Sequence, residues 1–210
     1  MDDPIETLVF RDPWDVDRRL IELGLHKAGL LKAVAVSRTE RNNVTPFHPA
    51  NAAGTFSYHH GVAAIRSEFV GDAWMVDRSD GIEAIWNQAS GLKVSFCNVD
   101  QACGVDHPRP RSDKGAGAER ASGGSLFEHF GLGPQPQFAP RPTGDGALYY
   151  LMVDQNGAAE LTRPVIKNRT FTAAVERLFL LPGDEPGDVI LPLDDGNDIA
   201  DGFDPQIVRK

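Results

Sequence analysis

Residues 92–99 read LKVSFCNV, and this stretch decides the fold class that the rest of the chain supports. Its apolar residues stand at every second position, as they do in a strand that buries one face. Two shorter stretches with the same alternation precede it, at 73–77 and 82–86. The pattern predicts a first group of antiparallel strands within 73–99.

Upstream of these strands the apolar residues recur at helical spacing instead. Three helices are predicted, at about 12–24, 27–41 and 58–70. The first has a clear start, because Asp12 can cap the helix and Pro13 suits its first position, where the missing N–H costs nothing. The sequence therefore begins with helices and turns to strands near residue 73.

A second group of strands is predicted at 147–181. The run ALYYLMVD at 147–154 is followed by a turn at 155–157 and by AAELTRPVI at 158–166. The apolar spacing of residues 171–181 fits a helix or an edge strand equally well. A strand is favoured there, because the preceding elements are strands joined by short connections.

Helices that precede two groups of strands predict the α+β class rather than a parallel α/β sheet. A chain of 210 residues can bury a sizeable core in one domain. We expect a single α+β domain at 1–182 and an acidic C-terminal extension at 183–210. That extension carries two basic and eight acidic side chains, which gives it −6 of the total charge of −9.

The composition and the apolar runs of the sequence limit the cellular compartments in which we expect the protein. The amino terminus is acidic and lacks the pattern of a signal peptide, and the longest apolar run, 147–153, is far shorter than the ~20 residues of a membrane helix. Two cysteines do not form a disulfide framework. These features predict a cytoplasmic protein without a membrane partner. The net charge does not favour nucleic acid, which needs facing Lys and Arg, although a local basic groove is compatible with it.

The segment 98–125 follows neither period, and a long stretch of this kind in a compact domain is usually functional or disordered. Its backbone is rich in glycine, and exposed amides beside cations readily bind anions. The predicted binding residues are four basic side chains of this loop and one from the third helix: Arg109, Arg111, Lys114, Arg120 and Arg66. The alternative is a plain surface loop, because four acidic residues bring its net charge to zero.

Candidates for catalysis are scattered and form no complete motif. They are His59 on the third helix and Asp100, Cys103 and His107 in the loop. Cys103 and His107 are of the types that act as nucleophile and base, with Asp100 nearby in sequence. The chain has no Gly-x-Ser-x-Gly elbow, and GAGAER at 115–120 lacks the third glycine of a dinucleotide-binding loop. No cofactor is predicted.

A zinc site is the sharpest alternative. Cys97, Cys103 and His107 have the ligand types that zinc prefers, and His59 or His60 could supply a fourth ligand. Structural sites usually begin with Cys-x₂₋₄-Cys, whereas five residues separate these two cysteines. We therefore predict no metal site.

Two functions stand out after these exclusions, ahead of a weaker third, a nucleic-acid mimic whose acidic extension would occupy a basic groove. The first is a non-catalytic binding or assembly module, which engages a protein partner or a second copy through loop 98–125 and the acidic extension. The second is a small cytosolic hydrolase or phosphate-ester enzyme, with its site between loop 98–125 and helix 58–70. The first is favoured, because convergent acid, base and orienting groups cannot be assembled from the sequence.

Overall fold

The computed structural model describes residues 6–122 and 147–183, which form four helices and one mixed sheet of seven strands. The strands are β1 (Leu8–Phe10), β2 (Trp74–Asp77), β3 (Ala84–Asn87), β4 (Lys93–Asn98), β5 (Leu148–Val153), β6 (Ala159–Lys167) and β7 (Thr170–Leu181). The helices are α1 (Pro13–Glu22), α2 (Lys27–Asn42), α3 (Ala52–Phe69) and α4 (Ala116–Ala121). The predicted α+β class is confirmed, since the three long helices precede six of the seven strands.

The strand order is β1-β7-β6-β5-β4-β3-β2. Two neighbouring pairs, β1–β7 and β4–β5, are parallel, and the other pairs are antiparallel. The prediction of antiparallel strands was therefore incomplete. Parallel neighbours need a long crossover, and the segment 99–147 between β4 and β5 is long enough to return along the sheet. Pairing across such a distance leaves no trace in local sequence.

Side chains cap the first turns of the helices α1 and α2. The Asp12 side chain accepts a hydrogen bond from the Trp14 amide at 2.9 Å, so the predicted start of α1 is confirmed. The imidazole of His26 does the same for α2, accepting from the Gly29 amide at 2.9 Å. The third helix begins at Ala52, earlier than predicted. Its first turns carry no regular apolar stripe, so the sequence pattern did not reveal them.

The sheet has two covered faces. Helices α1, α2 and α3 pack on one face, and the segment 99–122 with α4 packs on the other. The two buried clusters share no residue, and alternate positions of β5 divide between them: Tyr149, Leu151 and Val153 face the helices, while Leu148, Tyr150 and Met152 face the segment 99–122. The sheet therefore lies between α3 and the predicted functional loop.

Close contacts fix α3 on β4. A Cβ added to Gly61 would lie 2.5 Å from the ring of Phe96, so the helix approaches the strand more closely than any larger residue would allow. At the end of β4, the Ser57 hydroxyl donates to the Asn98 side chain at 2.7 Å, and Asn98 donates to the Gly54 carbonyl at 2.9 Å. The N-terminal turns of α3 therefore lie beside the C-terminal end of β4.

The remaining predictions from the sequence concern the last strand, the segment 98–125 and the C-terminal extension. The strand favoured at 171–181 is confirmed as β7. The segment 98–125, predicted to be irregular, contains the short helix α4 (Ala116–Ala121), whose sequence AGAERA has no apolar period to announce it. The extension beyond residue 183 lies outside the described residues, so the predicted domain division stays a prediction. Within the described part of the chain, no helix has the length and apolar character needed to cross a membrane.

Candidate functional site

The loop 100–109 is closed at its base by backbone contacts. The amide of Asp100 donates to the Arg109 carbonyl at 3.0 Å, and the Arg109 amide returns a bond to the Asp100 carboxylate at 2.7 Å. That carboxylate also accepts from the Gln101 amide at 2.7 Å. Val99 and Pro110 form an isolated antiparallel bridge directly below. Asp100, a predicted catalytic candidate, thus holds the two ends of the loop together.

Two buried carboxylates anchor the loop from beneath. The amide of Ala102 donates to Asp154 at 3.2 Å, and the next amide, of Cys103, donates to Glu160 at 2.6 Å. Cys103 adopts a left-handed conformation with φ of 56°, which turns these consecutive amides towards the sheet. Successive amides in such a turn form an anion-binding concavity. Here the anions are the protein's own side chains.

Glu160 is fully buried and is held by four hydrogen bonds. Arg177, also buried, binds it through Nε at 3.0 Å and through a second nitrogen at 2.7 Å. The Thr162 hydroxyl donates to it at 2.6 Å, and the Cys103 amide completes the set. A buried ion pair is tolerated only when its geometry is good and its remaining hydrogen-bonding groups are satisfied. The loop amide is therefore part of a network that the core requires.

The Cys103 thiol has a structural environment. Its sulfur lies 3.2 Å from the Ala159 carbonyl oxygen and 3.4 Å from the Leu181 carbonyl oxygen, and its one hydrogen can be donated to either of them. Burial, with the nearby Glu160 carboxylate, raises the pKa of Cys103 to about 12. Only the thiolate is a nucleophile, so this thiol is poorly suited to covalent catalysis near neutral pH.

The residues offered as zinc ligands have separate surroundings. Cys97 is buried on the loop-facing side of β4, where its sulfur lies 3.0 Å from Nζ of Lys114, and burial raises its pKa. Cys103 contacts β6 and β7, His107 is exposed in the loop, and His59 is exposed on the helix side of the sheet. Across residues 6–122 and 147–183, no group of three or more His, Cys, Asp or Glu side chains is placed to hold a metal ion.

The basic residues predicted to bind an anion point in different directions. Lys114 turns inwards, with Nζ 5.1 Å from the ring centre of Tyr150. Arg120 forms an ion pair with Asp80 at 2.9 Å, and Arg111 donates to the Val99 carbonyl at 3.1 Å. These contacts hold the three side chains in separate places, so they do not converge on one ligand.

Arg109 differs from the other basic residues of the loop. Its side chain is exposed, and its guanidinium has no hydrogen bond or ion pair to the described residues. Only its backbone takes part in closing the loop. Arg109 is therefore the loop cation that is most available to a partner.

Arg66 lies far from the loop. Its guanidinium binds Glu83 at 2.6 Å, beside a shallow depression between α3 and strands β3 and β4. This depression encloses no space for a ligand, whereas typical ligand pockets are deep clefts. Since Ser57 lies at the end of β4, Arg66 falls about 13 Å further along α3, at the rise of ~1.5 Å per residue. The described contacts do not join Arg66 to Asp100 or Arg109.

The tip of the loop is exposed. Val105 is 90% exposed, and Asp106, His107 and Arg109 are exposed around it. A second loop, 43–51, reaches the same end of the sheet, because α3 begins beside Asn98. This loop presents Phe47, which is 98% exposed, next to a turn in which His48 accepts from the Thr45 amide at 3.0 Å. We call the exposed side chains Val105, Asp106, His107 and Arg109 the tip surface.

Comparison with known proteins identifies no relative: no family model, curated protein or solved structure matches this chain. The candidate site therefore stands on its own geometry. Sequence reasoning did not single out Asp154, Glu160 and Arg177, which organise the loop. A signal was present, because Glu160 and Arg177 are charged residues inside largely apolar strands, and such residues are almost never fully buried unless they are paired.

Proposed function

We propose that this chain is a non-catalytic binding or assembly module that meets a macromolecular partner with the tip of loop 100–109. The observation that carries the proposal is the anchoring of Ala102 and Cys103 on the buried carboxylates of Asp154 and Glu160. The loop is ordered by the protein itself and still leaves Val105 and Arg109 exposed. A pre-ordered loop loses little conformational entropy when it binds, and this favours recognition.

The state of the catalytic candidates also supports a binding role. The Asp100 carboxylate accepts two backbone amides, and the raised pKa of Cys103 keeps its thiol protonated. The alternative enzyme needs loop 98–125 and helix 58–70 to meet around one site. The buried clusters of these two elements lie on opposite faces of the sheet, which is why the binding role is the better proposal.

The chemistry of the tip suggests what it would recognise. Arg109 offers a guanidinium that has no ion pair to the described residues, in the same loop as the exposed Val105, which suits a partner with a carboxylate or other anion next to an apolar patch. In this proposal the acidic extension 183–210 supplies a second contact of opposite charge. The proposal places the module in the cytoplasm, in keeping with the free thiols of Cys97 and Cys103.

The test is site-specific photo-crosslinking in living cells. A photoreactive amino acid at Val105 should yield defined crosslinked products, and the same group at Ala63, an exposed position on α3, should not. Arg109→Gln should reduce the yield at Val105 and leave the fold unchanged. The proposal fails if Val105 and Ala63 give the same pattern. It also fails if the purified protein hydrolyses phosphate or carboxylate esters and loses that activity on Asp100→Asn.

A further inference from the structure

Cys97 and Lys114 bring a thiol and an amine into direct contact. The Lys114 nitrogen lies 3.0 Å from the Cys97 sulfur, although 17 residues separate the two in the chain. Cys97 is buried on the face of β4 that the segment 99–122 covers. The contacts of the Lys114 amine within the described residues are this sulfur and the rings of Tyr150 and Phe171, and they include no carboxylate. The sulfur is therefore the polar group that this amine faces most closely.

The surroundings hold the amine over the sulfur. Nζ of Lys114 lies 5.1 Å from the ring centre of Tyr150 and 5.5 Å from that of Phe171, distances at which an aromatic face attracts an ammonium. At the other end of the residue, the Lys114 backbone amide donates to the Arg169 carbonyl at 2.8 Å. The side chain is thus positioned at both ends.

The second cysteine of the chain has the opposite electrostatic surroundings. Burial, with the nearby Glu160 carboxylate, raises the pKa of the Cys103 thiol to about 12. Burial also raises the pKa of Cys97, but the positive charge of Lys114 acts against that rise. The thiolate is the form that oxidants attack, and a neighbouring lysine favours it. Of the two cysteines, Cys97 is the one with a cation and a nitrogen nucleophile beside its sulfur.

We propose that hydrogen peroxide converts this contact into a covalent cross-link between Cys97 and Lys114. Peroxide first oxidises the thiol to a sulfenic acid, and is itself reduced to water. The Lys114 ammonium releases one proton to solvent, and its nitrogen then attacks the sulfenic sulfur. The S–O bond breaks, an S–N bond forms, and the hydroxyl leaves as water with a proton from the nitrogen, which gives a sulfenamide. This inference is independent of the proposed binding role.

Burial sets the rate and the consequence of this reaction. Cys97 is 2% exposed, so peroxide reaches its sulfur only while the segment 99–122 opens locally. When the segment closes again, the sulfenic acid meets the Lys114 amine before a second peroxide can oxidise it further. The new bond joins the segment 99–122 to β4, and reducing thiols cleave it back to thiol and amine. The segment that carries the tip surface is thereby fastened reversibly to the sheet.

The test treats the full chain with hydrogen peroxide, blocks the remaining thiols with N-ethylmaleimide and maps tryptic peptides by mass spectrometry. Trypsin releases residues 94–111 as one peptide, because Pro110 protects the preceding arginine, and a modified Lys114 leaves 112–120 uncut. We expect these two peptides to be joined, with a mass two hydrogens below their sum. Fragmentation should place the bond between Cys97 and Lys114, and dithiothreitol should separate the peptides.

Matched variants show whether the pair itself is responsible. Cys97→Ser should lose the cross-link, and so should Lys114→Arg, because a guanidinium stays protonated and does not attack sulfur. In Lys114→Arg, Cys97 should instead accumulate as sulfinic acid. Cys103→Ser should still form the cross-link. Circular dichroism checks the fold of each variant.

The wild-type chain provides a test that does not depend on how the variants fold. Peroxide treatment in urea should abolish the cross-link, because the two side chains no longer lie together in the unfolded chain. Absence of the joined peptides from the folded wild type overturns the inference. Equal amounts of them in urea, or their appearance in a folded Lys114→Arg variant, also overturn it.

Discussion

The carboxylate of Glu160 lies 2.6 Å from the backbone nitrogen of Cys103, although 57 residues separate them in the chain. This bond connects the core of the sheet to the loop that carries the candidate binding surface. Arg177 holds the same carboxylate from β7, so the order of the loop and the stability of the core depend on one buried group.

Replacing Glu160 should therefore destabilise the whole protein. Glu160→Gln leaves the buried guanidinium of Arg177 without a counter-charge, and breaking a buried pair in this way costs about 3–5 kcal/mol. The measurement is the free energy of unfolding in urea. Asp113→Asn is the control, because Asp113 is 70% exposed in its pair with Arg169. This substitution should lower the free energy of unfolding by less than ~1 kcal/mol. Equal effects of the two substitutions would contradict the central role of Glu160.

Replacing Asp100 should loosen the loop without unfolding the protein. Asp100→Ala removes the acceptor of the Gln101 and Arg109 amides at the base of the loop. Hydrogen exchange of these two amides should become faster, while the amides of β5 keep their protection. Asp106→Ala is the matched control, since Asp106 is an exposed acid of the same loop and no described contact depends on it. Unchanged exchange in Asp100→Ala would show that the loop is closed by other contacts.

The raised pKa of Cys103 predicts a loss of stability in alkali. Between the ordinary thiol value of 9.0 and about 12, the unfolded chain releases the proton while the folded protein retains it. The unfolded state then binds fewer protons, so the free energy of unfolding falls as the pH rises through this window. Unfolding experiments at pH values across it should show a steeper decline for the wild type than for Cys103→Ala. Parallel declines would indicate an ordinary, accessible thiol.

Two glycines of α3 should respond oppositely to alanine. At Gly61 the new Cβ would lie 2.5 Å from the Phe96 ring, and overpacking of this kind costs about 1–3 kcal/mol. At Gly54 no atom lies within 4 Å of the new Cβ, so Gly54→Ala should stabilise the helix by roughly 0.5–1 kcal/mol. Thermal unfolding of both variants measures the difference. A stabilised Gly61→Ala would show that α3 can move away from β4.

We expect purified protein to hold no stoichiometric metal. Cys97 and Cys103 make their contacts with different elements: the Cys97 sulfur contacts Lys114, and the Cys103 sulfur lies near the carbonyl oxygens of Ala159 and Leu181. Elemental analysis after dialysis measures the metal content directly. Zinc at one equivalent that disappears in Cys97→Ala would contradict this expectation.

Local signals in the sequence were sufficient for the elements themselves. Alternating apolar residues located β4 and the strands after residue 147, and Asp12 with Pro13 located the start of α1. These features depend on residues a few positions apart, whose preferences act before any tertiary contact forms.

Tertiary structure alone decided how these elements combine. The parallel pairing of β4 with β5 depends on the path of a long connection, which no local pattern records. Helix α4 can pack directly on the backbone of Asp80 because Gly117 has no side chain: a Cβ there would lie 1.9 Å from the Asp80 carbonyl oxygen. The loop is ordered because Asp154 and Glu160 come from distant strands to bind its amides. A buried carboxylate must find its hydrogen-bond donors in space, and the sequence does not show which distant amides will supply them.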